Sequence, residues 1–194
     1  MIDLSGIKSN ALHTVEEGML LAIHSEQDGQ AVIQLYDTSA SEPRLIAENR
    51  QQIPDTPNPS GHTMTDGERG IKDIEQTASN KQLIQRLMDA MLGIKPAPLT
   101  EFFDGDNYIN HNPKAWDGLS GFAKGMEERK KSGIITKYHR LRTIMAQGNY
   151  VFCITEGTMN DVPTAFFDLF RIENGKAAEH WDVVASITEG TFKD

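Results

Sequence analysis

The pattern of hydrophobic and polar positions divides the chain into three parts. From 11 to 53 the apolar residues come in short runs: Ala11–Val15, Met19–Ile23, Ala31–Tyr36 and Arg44–Glu48. Gly18, Asp28-Gly29 and a Ser/Pro break at 39–43 punctuate them, so this part predicts strands joined by turns. Residues 54–70 are rich in Pro, Gly and small polar residues, the composition of a linker or loop. From 79 the period lengthens. Leu83, Leu87 and Met91, flanked by Ile84, Met88 and Leu92, form the wide apolar face of an amphipathic helix. Ser79 with Gln82 reads as its capping box, and Gly93 and Pro96 end it. Leu99–Phe103 reads as a further helical turn. Gly118–Lys131 reads as a second helix, with Leu119, Phe122 and Met126 inward and Arg129, Lys130 and Lys131 at its C-terminal dipole. From 134 the pattern returns to strands, at about 134–147, 149–157, 163–172 and 176–186, with turns at Gly148, Asn160-Asp161 and Asn174-Gly175. Helices followed by antiparallel strands predict an α+β domain, its helices on one face of a curved sheet.

The early strands resemble the late ones. Val15–Glu26 aligns with Met145–Glu156, Ile46–Asn49 with Ala177–His180, and His62–Asp66 with Gly190–Asp194. The first copy has no counterpart of the 79–131 helices. Residues 1–66 therefore read as a partial, strand-only repeat, 67–78 as a linker, and 79–194 as a complete domain. In this alignment Gln34, Asn49 and Gln51 stand where the second copy has Asp168, His180 and Asp182.

Composition narrows the function. With 19 Lys+Arg against 28 Asp+Glu the net charge is −9, which disfavours nucleic acid and anionic membrane surfaces as partners. At 194 residues the chain can bury a core without staples. Its lone cysteine, Cys153, sits in an apolar strand, reads as buried and inert, and excludes a disulfide framework or a multi-cysteine metal site. No apolar run is long enough to span a bilayer, and the N-terminus lacks a signal-peptide core, so a reducing, cytoplasmic setting is expected.

The hairpin Phe166–Asp182 carries the candidate chemistry. Read as a three-residue loop, Glu173-Asn174-Gly175 pairs residue 172 with 176, Asp168 with His180 and Phe166 with Asp182. Phe166, Asp168, Phe170, His180 and Asp182 then share one face, and Phe167, Leu169, Arg171, Glu179 and Trp181 the other. Two carboxylates and an imidazole among phenylalanines move one another's pKa values toward neutrality, where acid–base catalysis works best. The alternative is a structural Asp–His pair on a polar face. A two-residue Asn-Gly turn would shift the register by one and separate Asp168 from His180.

His111 lies in Asn110-His-Asn-Pro113, where Pro113 favours an extended or turn conformation, so it reads as a loop histidine, either functional or capping backbone groups. His139 reads as a partly buried strand histidine, and Trp116 and Trp181 as packing. The six histidines show no local zinc spacing, and no phosphate loop or nucleophile elbow occurs, so no metal or cofactor is expected.

Tyr108-Ile-Asn-His-Asn-Pro113, Asp117-Gly118, Gly148–Val151, Phe167–Arg171, Gly175-Lys176 and Glu179–Val183, in this order, resemble the SnoaL-like polyketide cyclase group of the nuclear-transport-factor-2-like superfamily. The resemblance spans roughly 79–187. It implies a cone of helices closing over a strongly curved antiparallel sheet, an internal pocket, and homodimers formed through the outer sheet face. It implies cofactor-free catalysis with His111, Asp168, His180 and Asp182 in the pocket, and Tyr108, Phe166 and Phe170 against the substrate. The expected function is acid–base chemistry on a small hydrophobic carbonyl compound: aldol condensation, cyclisation or isomerisation. His111 is then expected to donate to the developing enolate. The alternatives are a non-catalytic ligand-binding or scaffold protein, and a hydrolase in which Asp182 activates water.

Overall fold

The computed structural model describes residues 4–193. A short helix, α1 (Ser5–Lys8), leads into four strands: β1 (Ala11–Glu17), β2 (Leu20–Gln27), β3 (Gln30–Asp37) and β4 (Arg44–Gln52). These form one antiparallel sheet in the order β1-β2-β3-β4. Then come α2 (Thr77–Met91), β5 (Ile109–Asn110), α3 (Gly118–Lys131), β6 (Thr136–Gln147), β7 (Tyr150–Met159), β8 (Val162–Glu173) and β9 (Lys176–Ser186). The last five strands make a second sheet in the order β5-β9-β8-β7-β6, antiparallel except that β5 runs parallel to β9. Two bulges in β6 and one in β9 bend it. The class is α+β, with α2 on one face of a curved antiparallel sheet. Among the described residues no helix is long and apolar enough to cross a membrane.

Two cores hold the molecule together. The inner one lies between α2, the 99–108 segment and the concave face of the second sheet, and includes Ile84, Leu87, Met88, Phe102, Val151, Cys153 and Phe170. The helix face is centred on Ile84, Leu87 and Met88, while Leu83 and Met91 flank it half-buried. The outer core lies between the two sheets and joins Val15, Ala22, Ile33 and Ala47 to Phe152, Phe167, Leu169 and Trp181. The first sheet therefore occupies the outer face of the second, the face through which two chains were expected to pair.

The contacts between the sheets are reciprocal. The Glu16 amide donates to the Gln147 side chain (2.9 Å), and the Ala146 amide donates to the Glu17 carboxylate (2.8 Å). Residues 16 and 17 stand to 146 and 147 as Gly18 stands to Gly148. The tails cross over likewise. Met64, beyond β4, is buried in the outer core, and the next-but-one carbonyl, Asp66, accepts from Trp181 Nε1 on β9 (2.8 Å). Phe192, beyond β9, pairs with Ala47 on β4. The exchange is mutual: the segment beyond each sheet's last strand contacts the other sheet.

Several expectations are corrected. Gln34 lies opposite Glu48, as Asp168 lies opposite Asp182, so Glu48 takes the place assigned to Gln51. Asn49 and Gln51 instead face the second sheet, bonding the Ala165 and Val183 carbonyls and the Val184 amide. The capping box does not form. The helix starts at Thr77, whose hydroxyl donates to the Ile74 carbonyl and accepts from the Gly148 amide, and Ser79 bonds back to Gln76. Helix α3 packs on the 105–107 turn and Trp116, with Leu119 against the inner core as expected, but Met126 is exposed rather than inward. His139 is exposed, at the bulge that interrupts β6.

The Pro/Gly-rich stretch 53–76 is a pinned strap. Asn58 donates to the Asn110 carbonyl (2.6 Å), Tyr150 Oη to the Glu68 carbonyl (2.7 Å), and Lys72 and Asn149 exchange two hydrogen bonds.

Candidate functional site

The loop between β8 and β9 has two residues, Asn174 and Gly175, both in the left-handed region, and Glu173 pairs with Lys176. That turn alone would put His180 and Asp168 on opposite faces. A bulge at Ala178 cancels the slip: Ile172 pairs with Ala177 but Arg171 pairs with Glu179. Beyond it Phe170 faces His180 and Asp168 faces Asp182. Asp168 and His180 are thus diagonal neighbours on the concave face. His180 Nε2 lies 3.0 Å from Asp168 Oδ1, and the two side chains keep 11% and 14% of their exposure.

Asp182 is half-buried, and both its oxygens accept from Asn112 Nδ2, at 2.9 and 2.8 Å. Aromatic rings surround the group. Phe170 stacks on His180 at 4.6 Å, Tyr108 lies beyond at 6.5 Å, and Tyr138 packs on Phe166. Cys153, opposite Asp168 on β7, is buried, and burial pushes its thiol well above the usual range.

The electrostatics follow from this crowding. Burial would lower the His180 pKa, but the bond to Asp168 and the nearby Asp182 charge outweigh it and raise the pKa above 6.5. Burial raises Asp182 above the usual carboxylate value, and Asp168 adds to that, against the opposing pull of His180 and Asn112. Among the described residues, the buried His180 Nδ1 has no hydrogen-bond partner.

His111 is not part of this group. Its ring lies on the outer side of the sheet, fully buried and stacked on Trp181 at 4.7 Å. Nε2 lies 2.8 Å from Glu179 Oε1, and Nδ1 lies 2.8 Å from the Thr63 carbonyl and 2.7 Å from Asp66 Oδ1. Glu179 also accepts from Arg171 Nε at 2.7 Å. Burial would raise the Glu179 pKa, but the bonds from His111 and Arg171 outweigh it and hold the group below the usual value.

Of the expected site residues, the structure gathers Asp168, His180, Asp182, Tyr108, Phe166 and Phe170, and sends His111 elsewhere. Sequence reasoning missed Asn112, which orients Asp182, and Tyr138, which packs on Phe166. Asn112 stands in the Asn110-His-Asn-Pro113 stretch, where alternation of an extended chain with His111 outward directs Asn112 inward. Among the described residues, two trios bring ligand atoms within 4.8 Å of one another: Asp168, His180 and Asp182, and His62, Asp66 and His111.

No known family profile matches the sequence, and no curated protein matches it. Among solved structures it is similar to a candidate ketosteroid isomerase from Kribbella flavida (TM-score 0.46, 10% identity, covering 59% of this chain and 83% of that one). It is also similar to TsrD from Streptomyces laurentii (TM-score 0.41, 21% identity, 55% and 88%). A candidate polyketide cyclase from Bacillus cereus aligns with TM-score 0.40 and 17% identity, over 69% and 90%. Likenesses this distant assign neither a reaction nor a substrate to the chain.

Proposed function

We propose that Asp168, His180 and Asp182 form an acid–base centre that acts on a small, largely apolar carbonyl compound. The observation that carries this reading is the unpartnered, buried Nδ1 of His180 beside two carboxylates. With Asp168 accepting from Nε2 and the imidazolium favoured, Nδ1–H is a donor that the protein leaves for a ligand oxygen. Asp182, held by Asn112 and raised toward neutrality, is the base. It takes the proton alpha to the carbonyl. The C–H electron pair becomes the C=C bond of an enol, and the oxygen takes the hydrogen bond or the proton of Nδ1. Proton return to a different carbon gives isomerisation; attack on a second carbonyl gives aldol closure. Tyr108, Phe166 and Phe170 supply the apolar wall that favours a hydrophobic substrate. Asp168 holds the imidazole's tautomer and orientation.

Residues 1–66 fit this picture as a partial repeat whose sheet stands where a partner's would. Gln34 and Glu48 lie at the positions of Asp168 and Asp182, but Glu48 is bound to Arg50 (2.8 Å) and Gln34 (2.6 Å) and is held ionised.

The test is proton exchange. Small cyclic ketones and 1,3-dicarbonyl compounds are incubated with the protein in D2O, and loss of the alpha-proton signal is followed by NMR. The wild type accelerates exchange of at least one, and His180→Ala and Asp182→Asn each slow it by about 100-fold or more. Exchange undiminished in Asp182→Asn would refute the assignment, and tight binding of a ketone without exchange would leave a binding module.

A further inference from the structure

We propose a second, separate site: a divalent first-row metal ion, zinc by ligand chemistry, held by His62, Asp66 and His111. The three side chains come from the strap and from the loop after β5, and their ligand atoms lie within 4.8 Å of one another. Two neutral imidazole nitrogens and one carboxylate oxygen are a donor set that zinc accepts, with a fourth position left for water or a backbone oxygen.

The independent observation is what stands behind each histidine. Metal-ligating imidazoles characteristically donate their other ring N–H to a carboxylate, which fixes the tautomer and raises ligand basicity. Here both do. His62 Nε2 lies 3.0 Å from Asp117 Oδ2, and His111 Nε2 lies 2.8 Å from Glu179 Oε1. Each bond leaves Nδ1 as the remaining nitrogen. His111 Nδ1 faces Asp66 Oδ1 at 2.7 Å and the Thr63 carbonyl at 2.8 Å, so a proton lies there, and zinc binds by displacing it as the nitrogen and the carboxylate move apart. Asp117 does not cap α3 with its side chain; its second oxygen accepts from the Asn110 amide (2.9 Å).

The other trio lacks this arrangement. His180 turns Nε2 to Asp168, itself a member of the trio, and its remaining nitrogen has no carboxylate behind it. The proposed metal site also has an entry path: His62 and Asp66 keep 29% and 45% of their side-chain exposure, while His111 is fully buried. Bound there, the ion ties the strap to the second sheet, back to back with the acid–base centre across β9.

The experiment is titration of the metal-stripped full chain with zinc sulfate by calorimetry, with cobalt(II) absorption as a report of nitrogen coordination. One equivalent binds and raises the melting temperature. His62→Ala and Asp66→Asn, both at partly exposed positions, weaken binding by about 100-fold while the apo proteins melt as the wild type does. Asp182→Asn binds zinc as tightly as the wild type. Absence of stoichiometric binding, binding unchanged in His62→Ala, or binding lost in Asp182→Asn would each overturn the proposal.

Discussion

The His111 amide donates to the His180 carbonyl at 2.8 Å, yet the two imidazoles lie on opposite faces of the sheet. Strand β5 pairs in parallel with β9, so Ile109 lies beside Glu179 and Asn110 beside His180. The chain then turns His111 outward, against Glu179 and Trp181. One backbone contact thus separates two polar clusters, the Asp168–His180–Asp182 group on the concave side and the His111–Glu179–Arg171 network on the outer side.

Glu179 is the shared carboxylate of that network. Glu179 is 2% exposed and serves both His111 and Arg171. Glu179→Gln leaves two buried donors without their carboxylate, and is expected to cost about 3 kcal/mol or more in urea unfolding. Glu173→Gln removes the other, exposed partner of Arg171 and is expected to cost at most about 1 kcal/mol. Equal losses would show that the network is not integral to the fold.

Gly67 closes over the same network with φ +105°. A Cβ there would stand 2.3 Å from Glu179 Oε1 and 2.6 Å from Trp181 Cζ2. Gly61 has a similar φ, +94°, but open space around it. Gly61→Ala therefore carries backbone strain alone, about 1 kcal/mol, and Gly67→Ala adds overpacking of about 1–3 kcal/mol. Comparable melting temperatures for the two variants would contradict the close approach.

Between the sheets, His13 and His24 make the fold sensitive to acid. His13 Nε2 donates to the Glu68 carbonyl (2.9 Å), so its Nδ1 accepts from His24 Nδ1 (3.1 Å) and His24 Nε2 is left a bare acceptor. Burial lowers the His13 pKa to about 4, and burial together with His13 lowers that of His24 to about 3. Both lie below the 6.5 of an unfolded imidazole, so below that pH the unfolded chain binds more protons. The stability from neutral burial is complete above pH 6.5 and falls as the pH drops toward the folded values. At about 1.4 kcal/mol per pKa unit the loss reaches a few kcal/mol. Melting curves between about pH 7.5 and about pH 4.5 should fall steeply for the wild type and less steeply for His24→Leu. Parallel curves would contradict it.

Element order and type were legible because each rests on local signals. The period-2 runs, the apolar helix face (read as Leu83, Leu87 and Met91, and centred in the structure on Ile84, Leu87 and Met88) and the Asn-Gly turn all act within a few residues. The Asp168–His180 pair was legible only through two compensating features. The turn is one residue shorter than read, and the Ala178 bulge restores the alternation of faces, which no residue type at 178 announces. His111 could not be placed from its loop, because its side chain is directed by Glu179 and Trp181, nearly seventy positions away on another strand. The His13–His24 pair follows from the register of the short β1–β2 hairpin, where the two residues are direct partners, whereas the His62–Asp66–His111 cluster was invisible, since spacing along the chain does not reveal groups brought together by a packed strap. Met126 shows the reverse failure: its helix is amphipathic in sequence, but packing against Trp116 chose a different face.

The central claim, that the concave group is a coupled acid–base centre, needs no substrate to be tested. Proton NMR of the histidine rings against pH, in wild type, Asp168→Asn and Asp182→Asn, reads it directly. In the wild type His180 titrates above the ordinary 6.5, because the bond to Asp168 and the charge of Asp182 outweigh its burial. In each variant its midpoint falls, the more so when Asp168 is replaced, since that variant loses the hydrogen bond as well as the charge. A His180 midpoint at or below 6.5 in the wild type, or one that neither substitution moves, would contradict the account.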